Sequence, residues 1–354
     1  MALTPREYQE ALEARILSPL AAQSAAAVRE RPEPPCPLRT AYQRDRDRIL
    51  HSKPFRRLKH KTQVFIAPLG DHYRTRLTHT LEVTQVARTV ARALHLNEDL
   101  TEAIGLGHDL GHAPFGHAGE TALTRIFVEH FRHNEQSRRI IEVLERNGQG
   151  LNLTYAVREG IYLHSKARRD IMTTAWGTAT TLEGQLIKIC DSVAYINHDI
   201  DDALRAGVLH QADLPADALA ILGHTHGERL HTMVADLVAC NDWATGSGAA
   251  PDPLLIGMSP TILAATNQLR DFMYREVYHT PHNKADDAKV RFVIETLFAH
   301  FVQHPEQLPE DLLAINRVRA EPIERAAVDY IAGMTDRYAL EVFKRIFMPR
   351  TWGA

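Results

Sequence analysis

Apolar residues recur along this chain at three- and four-residue intervals and show no convincing strand-like alternation, a pattern that predicts helices throughout. Between residues 75 and 94, His79, Val83, Val86 and Val90 fall at i, i+4, i+7 and i+11 and form one stripe. The next helix repeats the arrangement with Leu100, Ile104 and His108, and stops near Gly111. A third starts near Gly116 or His117 and runs toward His130. A fourth spans 134–146, with His133 just before it, and ends in the turn at 147–150. A long helix over 181–204 places Ile187, Asp191, Ala194 and His198 on one stripe, which points Asp191 inward. Further helices are expected over 260–278, 284–300 and 322–347, the last interrupted at Gly333. The chain opens with a helix from Thr4 to about Arg29, with Thr4 as N-cap and Pro5 at the first position. A Pro-rich linker at 31–37 and a Gly/Ala/Asp/Pro-rich loop at 239–253 separate these elements. The predicted class is all-α, with helix pairs packed around one core.

Three of the apolar stripes carry ionisable groups: His79, His108 with Asp109 beside it, and Asp191. One inward histidine is more often a satisfied core residue, and an inward carboxylate needs a partner. Three such helices point to a shared partner. Two imidazoles and two carboxylates suit an octahedral ion such as Mn, Mg, Fe or Ni, with positions left open for water and substrate, better than structural zinc. The densest stretch, residues 105–120, packs His108, His112, His117, Asp109, Glu120 and five glycines into sixteen residues. Glycine weakens a helix by about 1 kcal/mol against alanine, so this composition suggests backbone brought close to something or turned sharply.

The 354 residues allow one large domain or two ordinary ones. A net charge of −3 gives no global pull toward nucleic acid or membrane. Cys36, Cys190 and Cys240 are scattered and form neither a zinc spacing nor a disulfide framework, which fits a reducing, cytoplasmic location. The first ten residues include Glu7 and Glu10 without a long apolar run, so no signal peptide is expected. No stretch approaches the roughly 18 apolar residues of a membrane span. Charge is uneven locally. Residues 39–76 contain eleven Lys/Arg and three Asp, 11 − 3 = +8, either a solvated basic face or an electrostatic funnel for phosphates.

The order His79, His108-Asp109, Asp191 resembles the HD-domain metal-dependent phosphohydrolases. Longer stretches are similar to the dGTP triphosphohydrolase (dGTPase-like dNTPase) family. They are residues 43–48, 51–53, 55–65, 74–79, 108–120, 133–137 and 329–336, the last reading Asp-Tyr-Ile-Ala-Gly-Met-Thr-Asp. The resemblance covers roughly 39–345 and departs mainly at the Pro-rich linker and the loop near Gly246. The residue pattern sets apart an N-terminal helix and linker at 1–38 and a flexible loop at 241–257, and the resemblance implies an HD phosphohydrolase core at 39–240 between them. A C-terminal helical phosphohydrolase-associated region at 258–354 is expected to pack on that core. It further implies hydrolysis of a deoxynucleoside triphosphate, dGTP or several dNTPs, to deoxynucleoside and tripolyphosphate. His79, His108, Asp109 and Asp191 match the family's metal ligands. His112, His117, Glu120 and His133 match its active-site groups around the α-phosphate. Gln63, Arg76, Tyr195 and Asp199 match positions that hold sugar and phosphate, with Asp201 and Asp202 competing with Asp199 for that role. The family commonly forms homo-oligomers, often hexamers, and some members are activated by dNTPs at allosteric sites.

The chemistry agrees with these residue types. Attack at the α-phosphorus needs a nucleophilic oxygen at neutral pH, which a metal supplies by lowering the pKa of water. The 5′-oxygen leaves poorly and needs a proton, for which histidine is the usual donor. His117 and Glu120 lie at i and i+3, so the carboxylate is expected to orient that imidazole, at a helix start that offers N–H groups to phosphate. Two alternatives compete. One is an HD phosphohydrolase acting on a monophosphate, a cyclic dinucleotide or guanosine tetraphosphate. The other is a regulator binding single-stranded nucleic acid, for which Tyr42, Phe55, Phe65 and Tyr73 are thin aromatic support in the basic segment.

Overall fold

The computed structural model describes residues 3–63, 74–165, 171–172, 177–278 and 281–349. Among them the regular structure is helical, with two isolated β-bridges, Arg29 to Thr154 and Thr62 to Thr75. Residues 64–73 of the basic segment, including Phe65 and Tyr73, and residues 279–280 between two late helices lie outside the described residues.

The first helix is shorter than its periodicity suggests. It spans Pro5–Ile16 behind a Thr4/Glu7 capping box and gives way to extended backbone at Leu17. Pro19 explains the stop: it lacks an N–H and disfavours helical backbone at Ser18. A short 3₁₀ turn, Ser24–Ala26, follows instead of further α-helix. The fourth expected helix holds α geometry only over His133–Arg139, then widens into a π turn at Ile140–Leu144. The 322–347 region is two helices, Ile323–Ala332 and Asp336–Phe347, broken around Gly333. Helices at Ala41–Leu50, Lys53–Arg57, Tyr155–Leu163, Ala216–Leu222, His226–Cys240 and Glu310–Arg319 are additional to those the apolar stripes singled out.

The chain forms two compact units, each assembled from separated segments. The first comprises residues 1–51, 79–108 and 152–280. Its centre is the Leu182–Arg205 helix, which packs against Tyr155–Leu163, Glu98–Gly107, His226–Cys240 and Pro260–Met273. Leu186, Ile187, Val193, Ile196 and Ile200 are buried along it. Each such side chain contributes about 1.5–3 kcal/mol, so the helix that bears Asp191 is held along its length. Glu183, at the start of that helix, accepts the backbone N–H groups of Ala22 (3.0 Å) and Asn97 (2.9 Å) and ties the N-terminal segment down. Much of the early basic segment is neutralised locally. Arg39 pairs with Asp47, Arg44 and Arg48 with Glu33, and Arg46 with Glu102. These arginines form a paired surface rather than an open phosphate funnel.

The second unit comprises residues 52–78, 109–151 and 281–354. Here Pro281–Gln303 packs on Gly116–Ile126, on Ile323–Ala332 and on Asp336–Phe347. Phe115, Leu123, Phe127, Phe131, Ile294, Leu297, Phe301, Val328 and Ile331 form its apolar core. Among the described residues no helix is long and apolar enough to cross a membrane.

Candidate active site

In the first unit, three helices bring His79, His108 and Asp191 together. His79 lies in the first turn of Arg76–Ala93, His108 caps the C-terminus of Glu98–Gly107, and Asp191 is midway along Leu182–Arg205. His79 Nε2 is 3.3 Å from Asp191 Oδ1, and the two imidazole centroids are 5.5 Å apart. Both histidines are buried. His108 Nδ1 lies 2.6 Å from the Gly105 carbonyl, which only accepts, so Nδ1 carries the proton and Nε2 keeps its lone pair. His79 Nδ1 is 2.8 Å from His198 Nε2, which leaves Nε2 as the nitrogen facing Asp191. Two neutral imidazole nitrogens and a carboxylate are a donor set that fits a divalent ion.

Tyr195 stands one turn after Asp191; burial first, then the Asp191 carboxylate, pushes its phenol well above the usual range. Asp199 is buried and accepts a hydrogen bond from the Tyr278 hydroxyl at 2.5 Å.

In the second unit the chain continues directly from His108 into Asp109. Arg76 Nη1 donates to Asp109 Oδ2 at 2.7 Å, and His112 Nε2 is 3.1 Å from Asp109 Oδ1. Arg76 is only 2% exposed, so its guanidinium is committed to Asp109 rather than offered along a surface. The ring of His112 stacks on His133 with centroids 4.0 Å apart and planes 12° from parallel. Asp109, His112 and His133 bring one ligand atom each within 4.8 Å of one another. Two stacked imidazolium ions would repel, and the surroundings separate them. Burial, then Arg76, pushes His112 well below its ordinary pKa. Burial also opposes charge on His133, but the Glu120 carboxylate outweighs it and holds His133 above its ordinary value. The environment therefore favours the neutral form of His112 and the protonated form of the adjacent His133.

Glu120 engages His133 rather than His117, the ring its i, i+3 spacing favours. Its Oε1 accepts the His133 backbone N–H at 2.9 Å and lies 3.0 Å from His133 Nδ1. His117 Nδ1 is 3.9 Å from Glu120, and its side chain is 75% exposed. The i, i+3 spacing puts both on one helical face, but the contact with His133 draws the carboxylate away.

The glycine-rich stretch is shaped by close approach. A Cβ on Gly111 would sit 2.2 Å from the Ser137 backbone nitrogen and 2.3 Å from the His133 carbonyl, so glycine is what lets the His133 helix reach the His112 loop. Phe115 and Gly116 both adopt left-handed backbone, φ 63° and 57°, where the next helix starts. Asp336, far along the chain, holds this turn: it accepts the N–H groups of Phe115 and Thr62, both at 2.8 Å, and the Thr62 hydroxyl. Lys61 is buried beside it and donates to the carbonyls of His112 and Ala332, the latter at 2.9 Å. Burial, then Arg57, pushes its ammonium down to about 7. Gln63 follows on the same segment, and its buried Oε1 has no hydrogen-bond partner among the described residues. Lys61, Asp336, His198 and Tyr278 were not assigned from sequence. His198 was visible on the Asp191 stripe, whereas no local pattern marks Lys61 as buried.

Residues 76–196 match the HD domain, and residues 256–345 match the phosphohydrolase-associated domain. The fold and the His/Asp cluster are thus those of an HD-domain hydrolase. Curated relatives narrow the class. A deoxyguanosinetriphosphate triphosphohydrolase-like protein of Caldanaerobacter subterraneus subsp. tengcongensis is 53% identical, with 98% of this chain and 97% of the relative covered. Proteins of the same description from Desulfatibacillum aliphaticivorans (46%; 98% and 99% covered) and Deinococcus radiodurans (42%; 94% and 96%) are similar over nearly the same extent. The chain belongs to the deoxyguanosinetriphosphate triphosphohydrolase-like family.

Proposed function

We propose that this protein hydrolyses deoxynucleoside triphosphates, dGTP or several dNTPs, to deoxynucleoside and tripolyphosphate. The observation that carries this reading is the convergence of His79 on Asp191, with the far side of its ring already engaged by His198. The relatives' names support the substrate class. In this reading His79, His108, Asp109 and Asp191 hold a divalent ion: Mn, Mg, Fe or Ni. When bound, that ion supplies a Lewis acid that polarises the α-phosphoryl group and acidifies water.

The chain's own residues do the rest. Arg76 fixes the Asp109 carboxylate in place. Gln63, Tyr195 and Asp199 receive the sugar and its neighbouring phosphate. The neutral His112 ring orients an α-phosphate oxygen or water. His117, near the N-terminus of its helix, delivers the proton to the 5′-oxygen. The His133–Glu120 pair favours a second donor, since it holds a proton on an imidazole next to His112.

The test is product analysis with each dNTP in turn, in Mn and in Mg. Deoxynucleoside with intact tripolyphosphate supports the proposal. Deoxynucleoside monophosphate with pyrophosphate, or diphosphate with phosphate, sinks it. The same reading includes a cytoplasmic homo-oligomer, a hexamer, whose assembly or activity responds to dNTP. A mass measurement showing a monomer with and without dNTP would remove that part.

A further inference from the structure

Behind the metal-facing side of His79 lies a buried polar chain. His79 Nδ1 is 2.8 Å from His198 Nε2, with the rings 5.0 Å apart and nearly perpendicular at 81°. His198 Nδ1 is in turn 2.7 Å from Asp199 Oδ1, a close contact without hydrogen-bond alignment. The other Asp199 oxygen accepts the Tyr278 hydroxyl. His79, His198 and Asp199 are buried, His198 completely. Asp191, Ala194 and His198 follow one another at i, i+3 and i+7 on the same helix, so one element carries both a ligand and the group behind its neighbour.

We infer that His198 is a positioning residue for the metal site, fixing the tautomer and ring orientation of His79 through the Nδ1 to Nε2 contact. The inference rests on the reading of His79 as a metal ligand. A ligand nitrogen must offer a lone pair, so His79 Nε2 is unprotonated and its proton resides on Nδ1. That N–H donates to His198 Nε2, which forces the His198 proton onto its own Nδ1, toward the Asp199 carboxylate. One tautomer of His79 therefore serves both of its sides, and it places the His198 Nδ1 proton beside the Asp199 carboxylate, which Tyr278 steadies. Without the acceptor at His198, the buried Nδ1–H of His79 loses this partner and the ring is free to turn its donor away from Asp191. Groups that orient a ligating histidine typically change metal affinity about 10- to 100-fold.

The test is a Mn²⁺ titration of the full chain, read by the loss of the free-ion paramagnetic resonance signal. His198→Gln keeps an acceptor near the Nε2 position; His198→Asn is too short to reach it; His198→Leu removes it. The expected result is a Mn²⁺ dissociation constant about 10- to 100-fold weaker for His198→Asn and His198→Leu, with most of the loss recovered in His198→Gln. Thermal melts identify any variant that has not folded, and the Gln/Asn pair keeps the comparison alive if the leucine variant fails. Equal, wild-type affinity in Asn and Gln variants that melt normally overturns the inference. So does equal weakening in both. His79→Ala in the same titration separates the two ideas. If it retains Mn²⁺, the ligand reading itself is wrong. If it loses Mn²⁺ while the His198 variants do not, only the positioning role is wrong.

Discussion

Glu120 accepts two contacts from His133, one from the backbone N–H at 2.9 Å and one from ring Nδ1 at 3.0 Å, and leaves His117 at 3.9 Å. The pair has a pH signature. Burial opposes charge on both partners, yet each ends up more charged than usual: Glu120 well below its ordinary value of 4.5, His133 above 6.5. A depressed carboxyl contributes stability above its unfolded pKa and loses it as pH falls through the folded value. A raised imidazole contributes below its unfolded pKa and loses it as pH rises through the folded value. In chelator-treated protein, the melting difference between wild type and Glu120→Gln should thus be largest from pH 4.5 to 6.5 and shrink on both sides. A difference that is flat from pH 4 to 9 would contradict the pairing.

The identity of the proton donor can be read with a substrate bearing sulfur at the 5′-bridging position. Its leaving thiolate needs little protonation. Replacing the true general acid with alanine should cost about 10²–10⁴-fold on the oxygen substrate, and the sulfur substrate should recover most of it. His117→Ala is expected to behave so, and Asp109→Ala is not. Rescue of His133→Ala instead would move the role to the Glu120-bound ring.

Arg76 has a structural cost that its place in a basic segment hides. Its guanidinium and the Asp109 carboxylate are both nearly inaccessible and 2.7 Å apart. Removing one partner of a buried pair typically destabilises by about 3–5 kcal/mol, because the other charge is left uncompensated. Urea unfolding of metal-free Arg76→Ala should show a loss of that order. A loss below about 1 kcal/mol, the range of an exposed pair, would mean the pair is not buried in solution.

Asp336 should link the C-terminal segment to turnover. Asp336→Ala orphans the N–H of Phe115 and removes the partner of Thr62, and each buried unsatisfied group costs about 1–3 kcal/mol. The turn that starts the His117 helix then loosens, so kcat should fall while bound metal, measured by elemental analysis, stays at the wild-type level. Loss of metal in parallel with kcat would place the effect elsewhere.

These residues also mark how far the sequence could be read. The inward placement of His79 and Asp191 is legible because a period of 3.6 puts His79 with Val83, and Asp191 with Ile187, on one helical face. The all-α class followed from the same regularity. The first helix was read too long because one proline at 19 outweighed an otherwise continuous pattern. Glu120 was assigned to His117 because i, i+3 spacing is a local cue, whereas its contact with His133 depends on where the chain returns thirteen residues later. The clamp between Thr62 and Asp336 joins positions 274 apart, and nothing local encodes it. Charge counting left 39–76 open between a solvated basic face and a funnel, because Glu33 and Glu102, which pair with Arg44, Arg48 and Arg46, lie outside that segment.

The most direct test of the central claim is hydrolysis of dGTP in ¹⁸O-water, with products analysed by mass spectrometry. Attack of water at the α-phosphorus with departure of the 5′-oxygen places one ¹⁸O in tripolyphosphate and none in deoxyguanosine. Label in deoxyguanosine, or a labelled monophosphate released with pyrophosphate, would contradict it.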